Sequence, residues 1–306
     1  MPENRIIFRI IAETTKKGKA KLDLSGNMLV ELPPLIGKLN NLQELYLSEN
    51  ALSVLPKEIA KLSELRILIC NFNRLEEMPT CISRLSNLNK LDLSDNEITE
   101  LPANIDKLTK LKTFLLSGNR LKRLHPNIGK MNNLSVLVLS GNQLESLPPT
   151  ITRLRRLVKL DLSDNRLEEL PNNIDKLSNL RTLLISSNRL FEFPKNICKL
   201  TDLEELYLTD NDIRKLPPEI GKLTNLKTLY LKNTGLKDIP PEIGELENLR
   251  LLVLSDNRLK DIPTEIKRIK KLKWLYLIGN KGLTLNNEVI ESFAGMKKFI
   301  LKMPKQ

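Results

Sequence analysis

Residues 42 to 62 read Leu42-Gln43-Glu44-Leu45-Tyr46-Leu47-Ser48-Glu49-Asn50-Ala51-Leu52-Ser53-Val54-Leu55-Pro56-Lys57-Glu58-Ile59-Ala60-Lys61-Leu62. Leu45 and Leu47 alternate with Glu44, Tyr46 and Ser48, the period-2 pattern of a strand with one buried face. Asn50 follows where the chain must turn inward. Its amide both donates and accepts, so a stack of such residues can satisfy backbone groups that the turn leaves unpaired. Leu55-Pro56 then leads into Ile59 and Leu62, three apart, as on a short helical segment. Pro suits the first helical position because its missing N–H has no partner there.

Moving outward, the same unit returns along the chain. Asn recurs at Asn27, Asn50, Asn73, Asn96, Asn119, Asn142, Asn165, Asn188, Asn211, Asn257 and Asn280, always in steps of 23 residues, and the one empty slot holds Thr234. A fixed period of this length signals a stack of structural repeats. Twelve copies cover residues 19–285. Thr has one hydroxyl where Asn has an amide, so a local irregularity is expected at repeat 10. The Pro column runs through Pro33, Pro56, Pro79, Pro102, Pro148, Pro171, Pro194, Pro217, Pro240 and Pro263. At repeat 5 its slot holds His125, which reads as a substituted turn residue. Cys70 takes the buried slot of Leu47, while Cys81 and Cys198 fall on the helical side; all three read as small apolar residues.

The unit Leu-Pro-x-x-Ile-x-x-Leu-x-x-Leu-x-x-Leu-x-Leu-x-x-Asn resembles the intracellular, 23-residue class of leucine-rich-repeat proteins. That class includes the Ras-suppressor, Shoc/Sur and plant intracellular Ras-group proteins, and similar arrays occur beside deadenylase nuclease domains and in bacteria. The resemblance implies an α/β repeat solenoid: a right-handed horseshoe with a parallel β-sheet on the concave face and short helical or 3-10 segments on the convex face. It also implies binding as the activity, often in signalling through small GTPases. The cysteine-rich caps of extracellular members are absent, which fits a cytoplasmic protein.

A stacked solenoid exposes its core at both ends unless capped. Residues 1–18 read as an N-terminal helical cap, with Ile7, Ile10 and Ile11 on one face and Gly18 as its stop. Residues 286–306 read as a C-terminal cap with a degenerate thirteenth repeat. Gly282 looks like a one-residue insertion that brings Ile290, Phe293, Met296, Phe299 and Leu301 onto the apolar columns, with residues 299–301 as the last strand. In residues 1–19 no apolar run approaches the roughly seven residues of a secretory signal, and none in the chain approaches the roughly 20 of a membrane-spanning helix.

Composition narrows function. One His leaves little room for a His-rich metal site, and three Cys cannot make a disulfide framework. There is no Gly-rich phosphate loop, no Ser/His/Asp set and no metal cluster, so neither an enzyme nor a cofactor is expected. The strand residue between the two core positions faces out from the concave sheet, and all four Tyr fall in that column: Tyr46, Tyr207, Tyr230 and Tyr276. The only Trp, Trp274, shares the face. Such residues are over-represented at binding hot spots. The candidate protein-binding residues are Tyr207, Tyr230, Leu251, Val253, Trp274 and Tyr276, then Tyr46, Ile67, Ile69 and Phe72. A further patch is Leu115, Val136 and Val138. Two explanations stay open, since the same residues favour strands for stability alone.

The net charge of +12 is uneven. Residues 267–306 hold ten basic and two acidic residues, 10 − 2 = +8, which leaves +4 for the rest. A basic column along the helical side, from Lys38 and Lys61 to Lys199 and Lys222, is largely balanced by acids. An acidic protein surface meeting the C-terminal end fits this distribution better than nucleic acid does. The expected function is a non-catalytic, monomeric scaffold or adaptor in intracellular signalling, with a small Ras-like GTPase as a candidate partner. The alternative is a regulatory or targeting subunit of a phosphatase or nuclease complex. Its mark is Arg5-Ile6-Ile7-Phe8, which resembles the Arg-Val-x-Phe peptide that docks on protein phosphatase-1 as an added strand.

Overall fold

A computed structural model describes residues 2–285, 287–292 and 298–300. Phe293, Met296 and Leu301 of the C-terminal cap lie outside the described residues, as do the basic residues Lys297, Lys302 and Lys305. The chain divides into two compact units, Met1–Leu144 and Glu145–Gln306.

The first unit opens with helix α1, Pro2–Lys16. Ile7 and Ile11 are buried, and Gly18 ends the helix in the left-handed region (φ 57°). Behind that glycine the Lys19 N–H donates to Thr14 O at 3.2 Å, closing the terminus. Strands β1 (Lys21–Asp23), β2 (Glu44–Tyr46), β3 (Ile67–Ile69), β4 (Lys90–Asp92), β5 (Thr113–Leu115) and β6 (Val136–Val138) follow. Each pairs in parallel with the next, one repeat apart, as in Leu45↔Leu68 and Leu68↔Leu91. Their central residues point inward and are fully or almost fully buried, with Phe114 the largest. Hydrophobic burial of this column and of Leu47, Ile59 and Leu62 holds each repeat to its neighbours.

The second unit repeats the plan with β7 (Lys159–Asp161), β8 (Thr182–Leu184), β9 (Glu205–Tyr207), β10 (Thr228–Tyr230), β11 (Leu251–Val253) and β12 (Trp274–Tyr276). It ends with α2 (Asn287–Ser292) and β13 (Lys298–Ile300). Phe299 pairs with Leu275, 24 residues back rather than 23, so the extra residue lies between β12 and β13. The last strand thus starts and ends one residue before the span expected from sequence.

Between strands run 3-10 segments such as Lys57–Lys61 and Pro218–Lys222. The prolines of the repeating column are not inside them. Pro56 sits just before, at φ −66° and ψ 144°, and its carbonyl accepts from the Ile59 N–H at 3.0 Å. Proline's fixed φ pre-sets this extended cap, a different service from the first-turn role expected. His125 fills the same slot, and its Nδ1 accepts from the Asn127 N–H at 3.1 Å.

The Asn column forms a hydrogen-bonded ladder. The Asn96 amide donates to Cys70 O (3.0 Å) and Leu93 O (3.1 Å), and its Oδ1 accepts from the Leu75 N–H (3.0 Å). Asn27, at the start, is exposed, and its side-chain amide donates to Ser25 O in its own turn. The residue before each Asn takes the left-handed conformation, whether Gly118 and Gly141 or Glu49, Phe72, Asp95 and Asp256. At repeat 10 Thr234 is fully buried, and its hydroxyl donates to Leu231 O at 2.9 Å. An irregularity does occur, but in the preceding repeat, against Thr234: Arg214 turns left-handed (φ 61°), and its N–H donates to Thr234 O at 2.9 Å.

Candidate functional site

Register decides which outward side chains meet. In the second unit Tyr207, Tyr230, Val253 and Tyr276 lie side by side across β9 to β12, and Glu205, Thr228, Leu251 and Trp274 form the adjacent row. The Tyr207 and Tyr230 rings stack, with centroids 4.6 Å apart and planes 12° off parallel. Tyr230, Leu251, Val253, Trp274 and Tyr276 line an open cleft of about 460 Å³. Val253 is only 8% exposed because larger rings flank it on both sides, so it forms the floor while the aromatics form the walls. Burial, then the neighbouring Glu205 charge, raises the Tyr207 hydroxyl above its ordinary pKa of 10.0, so it stays a neutral donor.

A row of charge borders the cleft, one residue earlier on each strand. Lys227 Nζ meets Glu204 Oε2 at 2.6 Å, which holds the Glu204 carboxyl below its ordinary range. Arg181 approaches the same carboxylate at 3.5 Å. Arg250 and Lys273 make no ion pair among the described residues. They stand one residue before Leu251 and Trp274, which line the cleft.

The first unit differs. Tyr46 is occupied: its hydroxyl donates to Glu44 Oε2 at 3.0 Å, and Lys21 Nζ lies 4.6 Å from its ring centroid. Ile67 and Ile69 stand between Glu44/Tyr46 and Lys90/Asp92, so the apolar stretch is one strand wide. Phe72 is 53% exposed but sits on the turn after β3, not on the strand. Leu115 and Val138 are register neighbours, as are Thr113 and Val136.

Two things escaped the column reading. Asp23, Asp92 and Asp161 are turn caps, each accepting from the N–H two residues on (Ser25, Ser94 and Ser163, 3.0 to 3.1 Å). The recurring Asp-Leu-Ser triplet was the available signal. Arg5 to Phe8 lie in helix α1, and Ile7 is 2% exposed. Strand-addition docking needs extended backbone, so the phosphatase peptide would require the cap to unravel.

Comparison with known proteins fits this geometry. The leucine-rich-repeat sequence profile matches residues 20–75, 109–167, 132–190 and 224–281, with further repeat matches at 87–108 and 201–243. The chain belongs to the leucine-rich repeat family. Among solved structures, a leucine-rich-repeat protein of Leptospira interrogans is 32% identical, with a TM-score of 0.65 over 93% of this chain and 91% of that one. An internalin of Listeria monocytogenes shares the fold at 20% identity, with a TM-score of 0.74 over 94% and 92%. The leucine-rich-repeat ectodomain of a plant membrane receptor kinase from Arabidopsis thaliana, solved with Casparian strip integrity factor 2, is 28% identical. Its TM-score is 0.60, over 87% of this chain and 39% of that one. No curated protein sequence matches. Leucine-rich-repeat proteins generally act in protein–protein interaction, and their repeat stack is typically a scaffold rather than a catalyst. Among the described residues no helix is long and apolar enough to cross a membrane.

Proposed function

We propose that this leucine-rich-repeat chain is a non-catalytic protein-binding module whose partner docks on the sheet face of β9 to β12. The observation that carries this is the aromatic cleft of Tyr230, Trp274 and Tyr276 over Val253, with the cations Arg250 and Lys273 one residue before Leu251 and Trp274 on their strands. Aromatic walls supply apolar contact area at low entropic cost, and the cations favour a partner with an acidic surface. Ile67 and Ile69 form a secondary contact in the same reading. The 23-residue framework and three unbridged cysteines support a monomeric adaptor in intracellular signalling, with a small Ras-like GTPase as the partner class to test first.

The test is an affinity pull-down with the wild type beside Tyr230→Ala/Trp274→Ala, supplemented with a GTP-loaded Ras-type GTPase. Loss of about 2 kcal/mol or more per hot-spot side chain should release the specific partner. Identical retained proteins with both baits, at equal melting temperatures, would refute the assignment of binding to this face.

A further inference from the structure

The opposite side of the second unit carries a different kind of opening. Where the 3-10 column holds glycine, successive segments pack closely: a Cβ added to Gly244 would stand 2.5 Å from Glu265 O, and one on Gly221 2.9 Å from Glu242 O. In segment Pro149–Arg153 that column holds Thr152, whose side chain is buried and whose hydroxyl donates to Pro149 O at 2.8 Å. The next segment, Ile174–Lys176, is three residues long instead of the usual five. A cleft of about 380 Å³ results, lined by Pro149, Thr150, Thr152, Arg153, Arg155, Asn173 and Lys176.

No carboxylate lines it. Glu169 belongs to the adjoining cleft of about 310 Å³. In the same column Lys130 has a partner, Asp106, 24 residues back at 3.4 Å. For Lys176 the equivalent position is Thr152. Arg155 stands where other repeats carry Ser63, Ser86, Ser178 or Thr201. Among the described residues Arg153, Arg155 and Lys176 make no ion pair, and Asn173 makes no cap bond with its side chain. Three cations and an amide therefore converge on one cleft with no internal anion to balance them.

We propose that this cleft binds a compact anion carrying two or more phosphate groups. The planar Arg fork suits phosphate oxygens, and two Arg with one Lys match a charge of about −3. Isothermal titration with inorganic pyrophosphate tests it on the full chain. Saturable one-to-one binding is expected, weakened at least about tenfold in Arg153→Gln/Arg155→Gln/Lys176→Gln, and partly in Arg155→Ser. Lys199→Gln/Lys222→Gln, on the same ridge outside the cleft, should bind as the wild type does. These side chains are exposed, so folding is checked by an unchanged melting curve. A parallel arm uses vesicles with and without a bisphosphorylated inositol lipid. Binding of pyrophosphate assigns a free phosphate, and binding of the charged vesicles alone assigns a lipid headgroup. No binding in either arm, or equal loss in the two glutamine variants, overturns the proposal.

Discussion

Replacing Asn119 by Ala tests what holds the turns. Asn119 is 6% exposed; its Oδ1 accepts from the Ile98 N–H at 2.9 Å, and its Nδ2 donates to Leu93 O at 2.9 Å and Leu116 O at 3.1 Å. The two carbonyls are not orphaned by the change. Leu93 O keeps Asn96 at 3.1 Å, and Leu116 O keeps Asn142 at 2.9 Å. The Ile98 N–H, however, loses this acceptor inside the core. One orphaned donor costs about 1–3 kcal/mol and two thinned acceptors about 0.5 kcal/mol each, so about 3 kcal/mol is expected. With a urea m-value of about 3 kcal/mol/M, the midpoint should fall by about 1 M. Asn27→Ala is the matched control, because that amide is exposed and serves only its own turn; it should cost under about 0.5 kcal/mol. Asn119→Thr, the exchange present at Thr234, keeps one donor and should fall between them. Hydrogen exchange at Ile98 should quicken in step. Equal midpoints for the Asn119 and Asn27 variants would refute the ladder as the source of turn stability.

Gly244→Ala places its Cβ 2.5 Å from Glu265 O and 2.9 Å from Glu265 Cβ, so thermal melting should register a loss of about 1–3 kcal/mol. Gly282→Ala, with nothing within 4 Å, should melt as the wild type does. Burial pushes the Cys70 and Cys198 thiols up to about 12 from the ordinary 9.0, so both stay protonated at neutral pH. A disulfide reagent should therefore label the half-buried Cys81 first and all three thiols only in denaturant; rapid native labelling of two or more would contradict this. The same shifts set a sign for stability. The folded values lie above the unfolded ones, so these thiols contribute fully below pH 9, and that contribution is lost as pH climbs from 9 towards 12. Urea titrations at pH 8 and pH 10.5 read the difference.

What could be read from sequence, and what could not, follows from how often each column is written. The Leu45, Leu47, Asn50 and Ile59 columns recur in nearly every repeat, so period and alternation specify strand, turn and core together. Even a single departure was informative when it broke a hydrogen-bonding rule: Thr234 lacks an amide, and Arg214, which donates to Thr234 O, turns left-handed. Side-chain sizes in neighbouring repeats are another matter. Val253 is an outward strand residue by alternation, yet it lies under Tyr230 and Tyr276 because its register partners are larger than it is. Tyr46 belongs to the same column as Tyr276, but Glu44 and Lys21 already occupy its hydroxyl and its ring. The Thr152 cleft depends on a comparison with Gly221 and Gly244, a matter of a few ångströms between segments that no periodicity expresses. Recognition in a stack of near-identical units must reside where the units differ, because residues that every repeat shares present the same surface everywhere. Variants that test function in this chain therefore belong at Trp274, Arg250, Arg155 and Thr152, and variants that test folding belong at Asn119 and Gly244.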